Sequence, residues 1–359
     1  ECIRSGSYAP IVVGLEPTGV YHETWACAIE QTFGKDLELR FLNPYQTKQK
    51  RKQLVCGRQR KTDPIDVEAI AYCLRDGLGN PAYLRSGPTL RFELWASDYR
   101  QTQREQQRLV VRLLTQMDRL WPGALINVRA FQKAHPHLPV PVPLVLSKPL
   151  ERQRIQLILE HHPNPYEWKS KSISEVQTFY RDHGLRCGPV IAQKLLDVVQ
   201  QALLPPPELA ALLAERLRAD YFRYQSLLAR LAHLQQQAEA LVPISEAAVL
   251  TSFPGIGAFL AAQYMAYIID HRRFDYADQI WSFAGFDVSQ DDSGDRRRQG
   301  KISKRGSAGL RLVLFRIGLN TSQYCPVIKR AKQRALARGK RNVGAVIHGV
   351  AADLLRGHV

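Results

Sequence analysis

Apolar and polar positions follow two different periods along this chain, and the change from one to the other marks out its parts. The run Ile11-Val-Val-Gly-Leu-Glu16 is almost wholly apolar and ends on a carboxylate, which predicts a buried strand. Pro17, Thr18 and Gly19 turn the chain, Tyr21 to Phe33 has the mixed pattern of a helix, and Leu37 to Leu42 predicts a second strand closed by Asn43-Pro44. Strand, helix, strand in this order predicts an α/β unit. Lys61-Thr-Asp-Pro-Ile-Asp-Val-Glu-Ala-Ile-Ala71 reads as a helix start, with Pro64 at the first helical position, Asp63 at the N-cap and Asp66 in the first turn. From Leu90 to Leu120 the period is helical, with Leu94, Leu109, Leu113, Leu114, Met117 and Leu120 set among arginines and glutamines.

His135-Pro-His-Leu-Pro-Val-Pro-Val-Pro143 suits neither a helix nor a central strand and predicts a connector. Ser147 to Gln201 reads as a small helical insert, and Pro205 to Pro207 is a stiff break after it. From Glu208 to Leu241 apolar residues recur at Leu217, Tyr221, Tyr224, Leu228, Leu231, Leu234 and Leu241, which predicts a long helix, with a dimerising coiled-coil arm as the sharper alternative. The pattern therefore divides the chain into residues 1–88, an α/β domain; residues 89–243, a helical and coiled-coil middle with an insert; and residues 244–359, a mostly helical C-terminal domain.

Charge changes this picture most. The chain has 359 residues, is 45% hydrophobic and carries a formal charge of +17, so it is a folded protein that calls for a polyanion. Nucleic acid is the first candidate, because each phosphate neutralised by Lys or Arg releases a counterion. Residues 296–341 contain no Asp or Glu at all, which predicts a nucleic-acid face. A second basic stretch, with Lys48, Lys50, Arg51, Lys52, Arg58, Arg60 and Lys61, has too little apolar content to pack and is expected to touch phosphate or to be mobile. No apolar run is long enough to span a bilayer. The six cysteines form no C-x-x-C pair, which argues against a zinc site or a disulfide framework and for a reducing cytoplasm.

Three constellations carry candidate chemistry. Asp63 and Asp66, three apart at a helix start, share one face, and Glu16 at a strand end could join them around one hard cation such as Mg²⁺; helix capping is the plainer role of the two aspartates. Phe253-Pro-Gly-Ile-Gly257 opens a helix, and Gly255 and Gly257 would present backbone amides to a phosphate as a helix-hairpin-helix element does, or would form a packing corner. Ser293-Gly294 stands just ahead of Arg296, Arg297, Arg298, Lys301, Lys304 and Arg305, which suits a nucleophile or clamp facing a phosphodiester; a solvated turn is the plainer reading. His135, His137, His161 and His162 lack acidic or cysteine partners at ligand spacing.

Taken in order, Glu16-Pro-Thr-Gly-Val-Tyr21, Lys61 to Ala71, Phe253 to Gly257, Ser293-Gly294 and Gly300-Lys-Ile-Ser-Lys-Arg-Gly306 resemble the bridge-RNA-guided insertion-sequence transposases, relatives of the Piv-type DNA invertases. The resemblance covers both ends of the chain. It implies a RuvC-like (ribonuclease H-like) DEDD domain and a C-terminal transposase domain that together form a composite site. Glu16, Asp63 and Asp66 match three of the four acidic residues that bind Mg²⁺, and Ser293 matches the serine nucleophile that forms a covalent link to DNA. It further implies donor and target DNA, a guide RNA, a homo-oligomer of two or four chains, and a prokaryotic cytoplasmic protein working at the nucleoid. The family's first aspartate lies on an earlier strand, and no Asp precedes Glu16, so the N-terminal strand is expected to be missing from this chain. The competing functions are a metal-dependent junction nuclease that uses water, and a basic nucleic-acid scaffold without chemistry.

Overall fold

The computed structural model describes residues 11–17, 21–54, 62–84, 88–139, 148–286, 302, 304 and 306–339. They fall into two compact units, Glu1–Glu93 with Ile244–Val359 and Leu94–Pro243.

The first unit opens with β1 (Ile11–Leu15), α1 (Tyr21–Phe33) and β2 (Leu37–Phe41). β1 and β2 run parallel in the register Ile11↔Leu37 to Leu15↔Phe41, and a parallel pair needs a crossover, which α1 supplies. The two-residue β3 (Asn80–Pro81) adds antiparallel to β2, giving the order β1-β2-β3. The expected α/β start is thus present as a small mixed sheet of three strands among the described residues, and most of the remaining structure is helical.

Between β2 and β3 lie α2 (Pro44–Leu54) and α3 (Asp63–Arg75). Asn43-Pro44 does not merely close the strand. The Asn43 side chain accepts the Tyr45 N–H at 2.9 Å and Pro44 takes the first helical position, a start signal for α2. The basic stretch from Lys48 to Lys52 is therefore helical and packed against α3, contrary to the expectation of an unpacked segment; Arg58, Arg60 and Lys61 lie outside the described residues. α3 covers β1, because a Cβ added at Gly14 would stand 2.9–3.1 Å from Leu74, Ile70 and Leu42.

α4 (Pro88–Leu120) is 33 residues long, and from Leu94 onward it belongs to the second unit. There α5 (Val128–Ala134), α6 (Gln153–His161), α7 (Tyr166–Lys169), α8 (Ile173–Asp182) and α9 (Pro189–Gln201) precede α10 (Pro207–Leu241). α10 finds its partner within the chain. Trp95 donates to the Leu234 carbonyl at 2.6 Å, Arg230 meets Asp98 at 3.5 Å, and Asp220 accepts from Gln116 at 2.8 Å and from Arg112, so α4 and α10 run antiparallel. Buried Ala210, Ala214, Leu217, Tyr221 and Tyr224 repeat at spacings of three and four, the seam of a coiled coil. One apolar cluster extends from Leu109 through Trp121, Trp168 and Leu195 to Leu227, joining the insert to both long helices. Trp168 is fully buried, its indole N–H on the His162 carbonyl at 2.8 Å, and burial of such a side chain contributes roughly 2–3 kcal/mol.

The first unit resumes with a 3₁₀ segment (Glu246–Ser252), α11 (Ala258–Ile268), α12 (Ala277–Phe283), α13 (Ala308–Tyr324) and α14 (Pro326–Ala337). α11 is buried along Leu260–Ala266 and packs on α13. Arg273, after α11, lies 5.4 Å from the Tyr83 ring centroid and 5.5 Å from that of Phe283, so one guanidinium contacts aromatic residues from both halves of this unit. Among the described residues no helix is long and apolar enough to cross a membrane.

Candidate functional site

Glu16 and Asp66 are placed by α2. Glu16 follows β1 directly, and its Oε2 accepts the hydroxyl of Thr47 at 2.9 Å, while the same hydroxyl reaches the Pro44 carbonyl at 3.1 Å. Thr47 is only 4% exposed, so this is an interior hydroxyl fixed by two acceptors. One turn further along α2, Arg51 donates to Asp66 Oδ1 in the first turn of α3. Residues four apart on a helix stand on one face, so the Thr47 and Arg51 side chains bring Glu16 and Asp66 to the same side of α2. Lys50 pairs with Asp76 at the far end of α3, and that hydrogen bond holds the Asp76 carboxyl below its ordinary value. Adjacent residues of α2 thus grip opposite ends of α3.

Asp63 takes a different place from the one expected. Thr62 precedes the helix as its cap, no side-chain capping bond forms, and Asp63 is the exposed first residue of α3. Capping therefore does not account for Asp63, whose side chain makes no hydrogen bond or ion pair among the described residues. Oxygen donors of this kind suit a hard divalent ion. Among the described residues, however, no group of three or more His, Cys, Asp or Glu converges as a ready-made metal cluster. Glu16 and Asp66 are the pair that α2 brings together, and carboxylate oxygens are the donors that a hard ion such as Mg²⁺ takes.

The serine stretch lies outside the described residues, as do Arg296, Arg297, Arg298, Lys301 and Arg305. Its two flanks meet: the Lys304 N–H donates to the Gly285 carbonyl at 3.1 Å and the Ser307 N–H to the Phe283 carbonyl at 2.9 Å. Gly306 permits this closure, because a Cβ there would come within 2.5 Å of the Phe283 carbonyl oxygen. Lys304 is exposed, with a left-handed φ of 54°. Gly255, at φ 98°, abuts the backbone of Asn320 and Thr321 on α13, so packing by itself explains this glycine. Gly257 caps α11, and a Cβ there would meet nothing within 4 Å.

Two features escaped the sequence reading. Arg100, Arg104, Arg108 and Arg112 recur every four residues along α4, and two clefts of about 550 and 420 Å³ run beside them, the second also lined by Arg223. The spacing is present in the sequence, interleaved with the apolar period of the same helix. The insert gathers His161 and His183 with ring centroids 4.3 Å apart, and burial followed by the neighbouring His183 lowers the His161 pKa. His162 instead pairs with Glu167 at 2.5 Å.

Two segments of the chain match known protein families. Residues 4–122 match the DEDD transposase model of the IS110 type, described as "Transposase", and residues 247–333 match "Transposase IS116/IS110/IS902 family". The chain is 29% identical over 208 residues to a "Probable family 20 transposase" of Pseudomonas aeruginosa, covering 55% of this chain and 61% of that one. It is 23% identical over 209 residues to the "Insertion element IS110 uncharacterized 43.6 kDa protein" of Streptomyces coelicolor, covering 56% of this chain and 50% of that one. The matched region thus spans between half and three fifths of these relatives. The chain is thus similar to the DEDD transposase model over one segment and to the IS116/IS110/IS902 transposase family over another.

Proposed function

We propose that this chain cuts and rejoins DNA as an insertion-sequence transposase, with Glu16, Asp63 and Asp66 as the acidic set for Mg²⁺. The observation that carries the reading is the placement of Glu16 and Asp66 on one face of α2. Bound there, Mg²⁺ would supply positive charge at the phosphate oxygens where charge develops. Glu16 is oriented by a neutral hydroxyl donor, and Asp63 stands at the helix start facing solvent.

Ser293 is the proposed nucleophile. Its oxygen bonds to phosphorus, the bond to one deoxyribose oxygen breaks, and that oxygen leaves as a hydroxyl with the serine proton. Arg296, Arg297, Arg298, Lys301, Lys304 and Arg305 would bind the phosphates on either side, and Gly257, where a Cβ would meet nothing, would let the α11 turn approach DNA. Guidance by an RNA, through base pairing, belongs to this proposal, as does assembly of two or four chains to hold two duplexes. The matches of both segments to transposase families support DNA as the substrate.

A second reading, favoured by the DEDD match, is metal-dependent cleavage with water as nucleophile. One assay separates them: DNA spanning the ends of the parent element, RNA transcribed from it, and Mg²⁺. Asp66→Asn is expected to lower strand cleavage at least 100-fold, and Ser293→Ala to abolish a protein–DNA adduct mapped to Ser293 by mass spectrometry. Full cleavage by Ser293→Ala would establish the water mechanism, and cleavage unaffected by Asp66→Asn would remove the acidic site from the chemistry.

A further inference from the structure

The acidic residues are not treated alike by their surroundings. Glu16 is held by a hydroxyl, which orients it without cancelling its charge. Asp63 is exposed. Asp66 alone carries a full positive charge on its oxygen, from Arg51, and the two side chains are 25% and 20% exposed, so water screens the pair only in part.

We infer that Arg51 competes with the divalent cation for Asp66. Its guanidinium bonds Oδ1 of the carboxylate and offsets the charge that attracts a cation, so a cation that takes Asp66 does so at the expense of the Arg51 ion pair. The displaced side chain stays tethered to α2, one turn from Thr47, and so remains beside the acidic site as a planar donor matched to a phosphate. This inference rests on the acidic-site reading above and adds to it a residue that sets how readily the site loads. A purely structural Arg51 could only weaken the site when removed; a competitor makes it bind more tightly.

The test is Mn²⁺ titration of the purified full chain, without nucleic acid, followed by the electron paramagnetic resonance of free Mn²⁺. Wild type, Arg51→Gln, Arg51→Lys and Asp66→Asn are compared, with far-UV circular dichroism reporting folding. Arg51→Gln is expected to bind Mn²⁺ about fivefold more tightly, the ratio that loss of a partly exposed ion pair permits. Arg51→Lys keeps the charge and is expected to stay within about twofold of wild type, and Asp66→Asn loses the site. If wild type binds through Asp66 and folded Arg51→Gln binds equally or more weakly, the competition is overturned and the acidic site stands. If neither wild type nor either Arg51 variant takes up Mn²⁺ in an Asp66-dependent way, both readings fall. Should Arg51→Gln not fold, Arg51→Lys binding several-fold more weakly than wild type would equally refute competition.

Discussion

α2 and α4 are both rich in basic residues, and the fold uses them in opposite ways. On α2, Lys50 and Arg51 are answered by Asp76 and Asp66 of α3, so the charge is turned inward to place acidic groups. On α4, Arg100, Arg104, Arg108 and Arg112 form a stripe beside open clefts, with Arg112 tied to Asp220 at one end. A count of lysines and arginines makes the two helices alike. On α2 the answering carboxylates come from α3, whereas on α4 Asp220 of α10 meets Arg112 and Glu105 stands within the arginine row itself.

The comparison can be broken most forcefully through the core beneath α4. Trp168→Ala is expected to lower the stability of the second unit by about 3–5 kcal/mol, read from its urea unfolding midpoint. Its Asp66-dependent Mn²⁺ affinity is expected to hold at wild-type level; a loss equal to that of Asp66→Asn would show that the two regions are not independent. A sharper contrast comes from charge reversal. Arg104→Glu with Arg108→Glu is expected to weaken nucleic-acid binding about tenfold and to reduce its salt dependence by about two phosphate contacts. Lys50→Gln, on α2, is expected to leave that salt dependence alone, and equal effects of the two changes would erase the distinction drawn between the helices.

The smallest effect is on pH. Burial, then His183, lowers the His161 pKa, and burial lowers that of His271 in the other unit, with Glu246 and Asp270 opposing. A histidine whose folded value lies below its unfolded value of 6.5 takes up its proton more readily when unfolded. Stability from both groups is therefore full above that value and declines as pH falls below it. Thermal melting between pH 7.5 and 5.5 is expected to drop by about 2–4 °C, and His161→Gln to remove part of the drop. A melting point that rises on acidification would contradict the burial of these rings.

The pair of units shows what patterning can carry. The stretches Tyr21–Phe33, Leu90–Leu120 and Glu208–Leu241 announced their helices because each has a one-sided apolar stripe, and the parallel strand pair was legible in two short apolar runs. The start of α3 was legible too, from Pro64 just inside it. α2 was not, because its apolar content is low and its place depends on carboxylates beyond its own sequence. Asn43-Pro44 held the missing signal, a cap and first-turn pair taken for the end of a strand.

What the sequence by itself determined is local: the periods of the long helices, the turn chemistry around Gly255, the acidic and basic inventory, and the order of motifs at the two ends. What only the tertiary structure decided is pairing at a distance. It gave α10 an antiparallel partner in α4, set Thr47 under Glu16 from 31 positions away, and turned Arg51 onto Asp66. Periodicity reports which face of an element is buried, whereas the energy of a hydrogen bond or ion pair depends on which other element arrives there, and that is fixed only when the chain closes on itself.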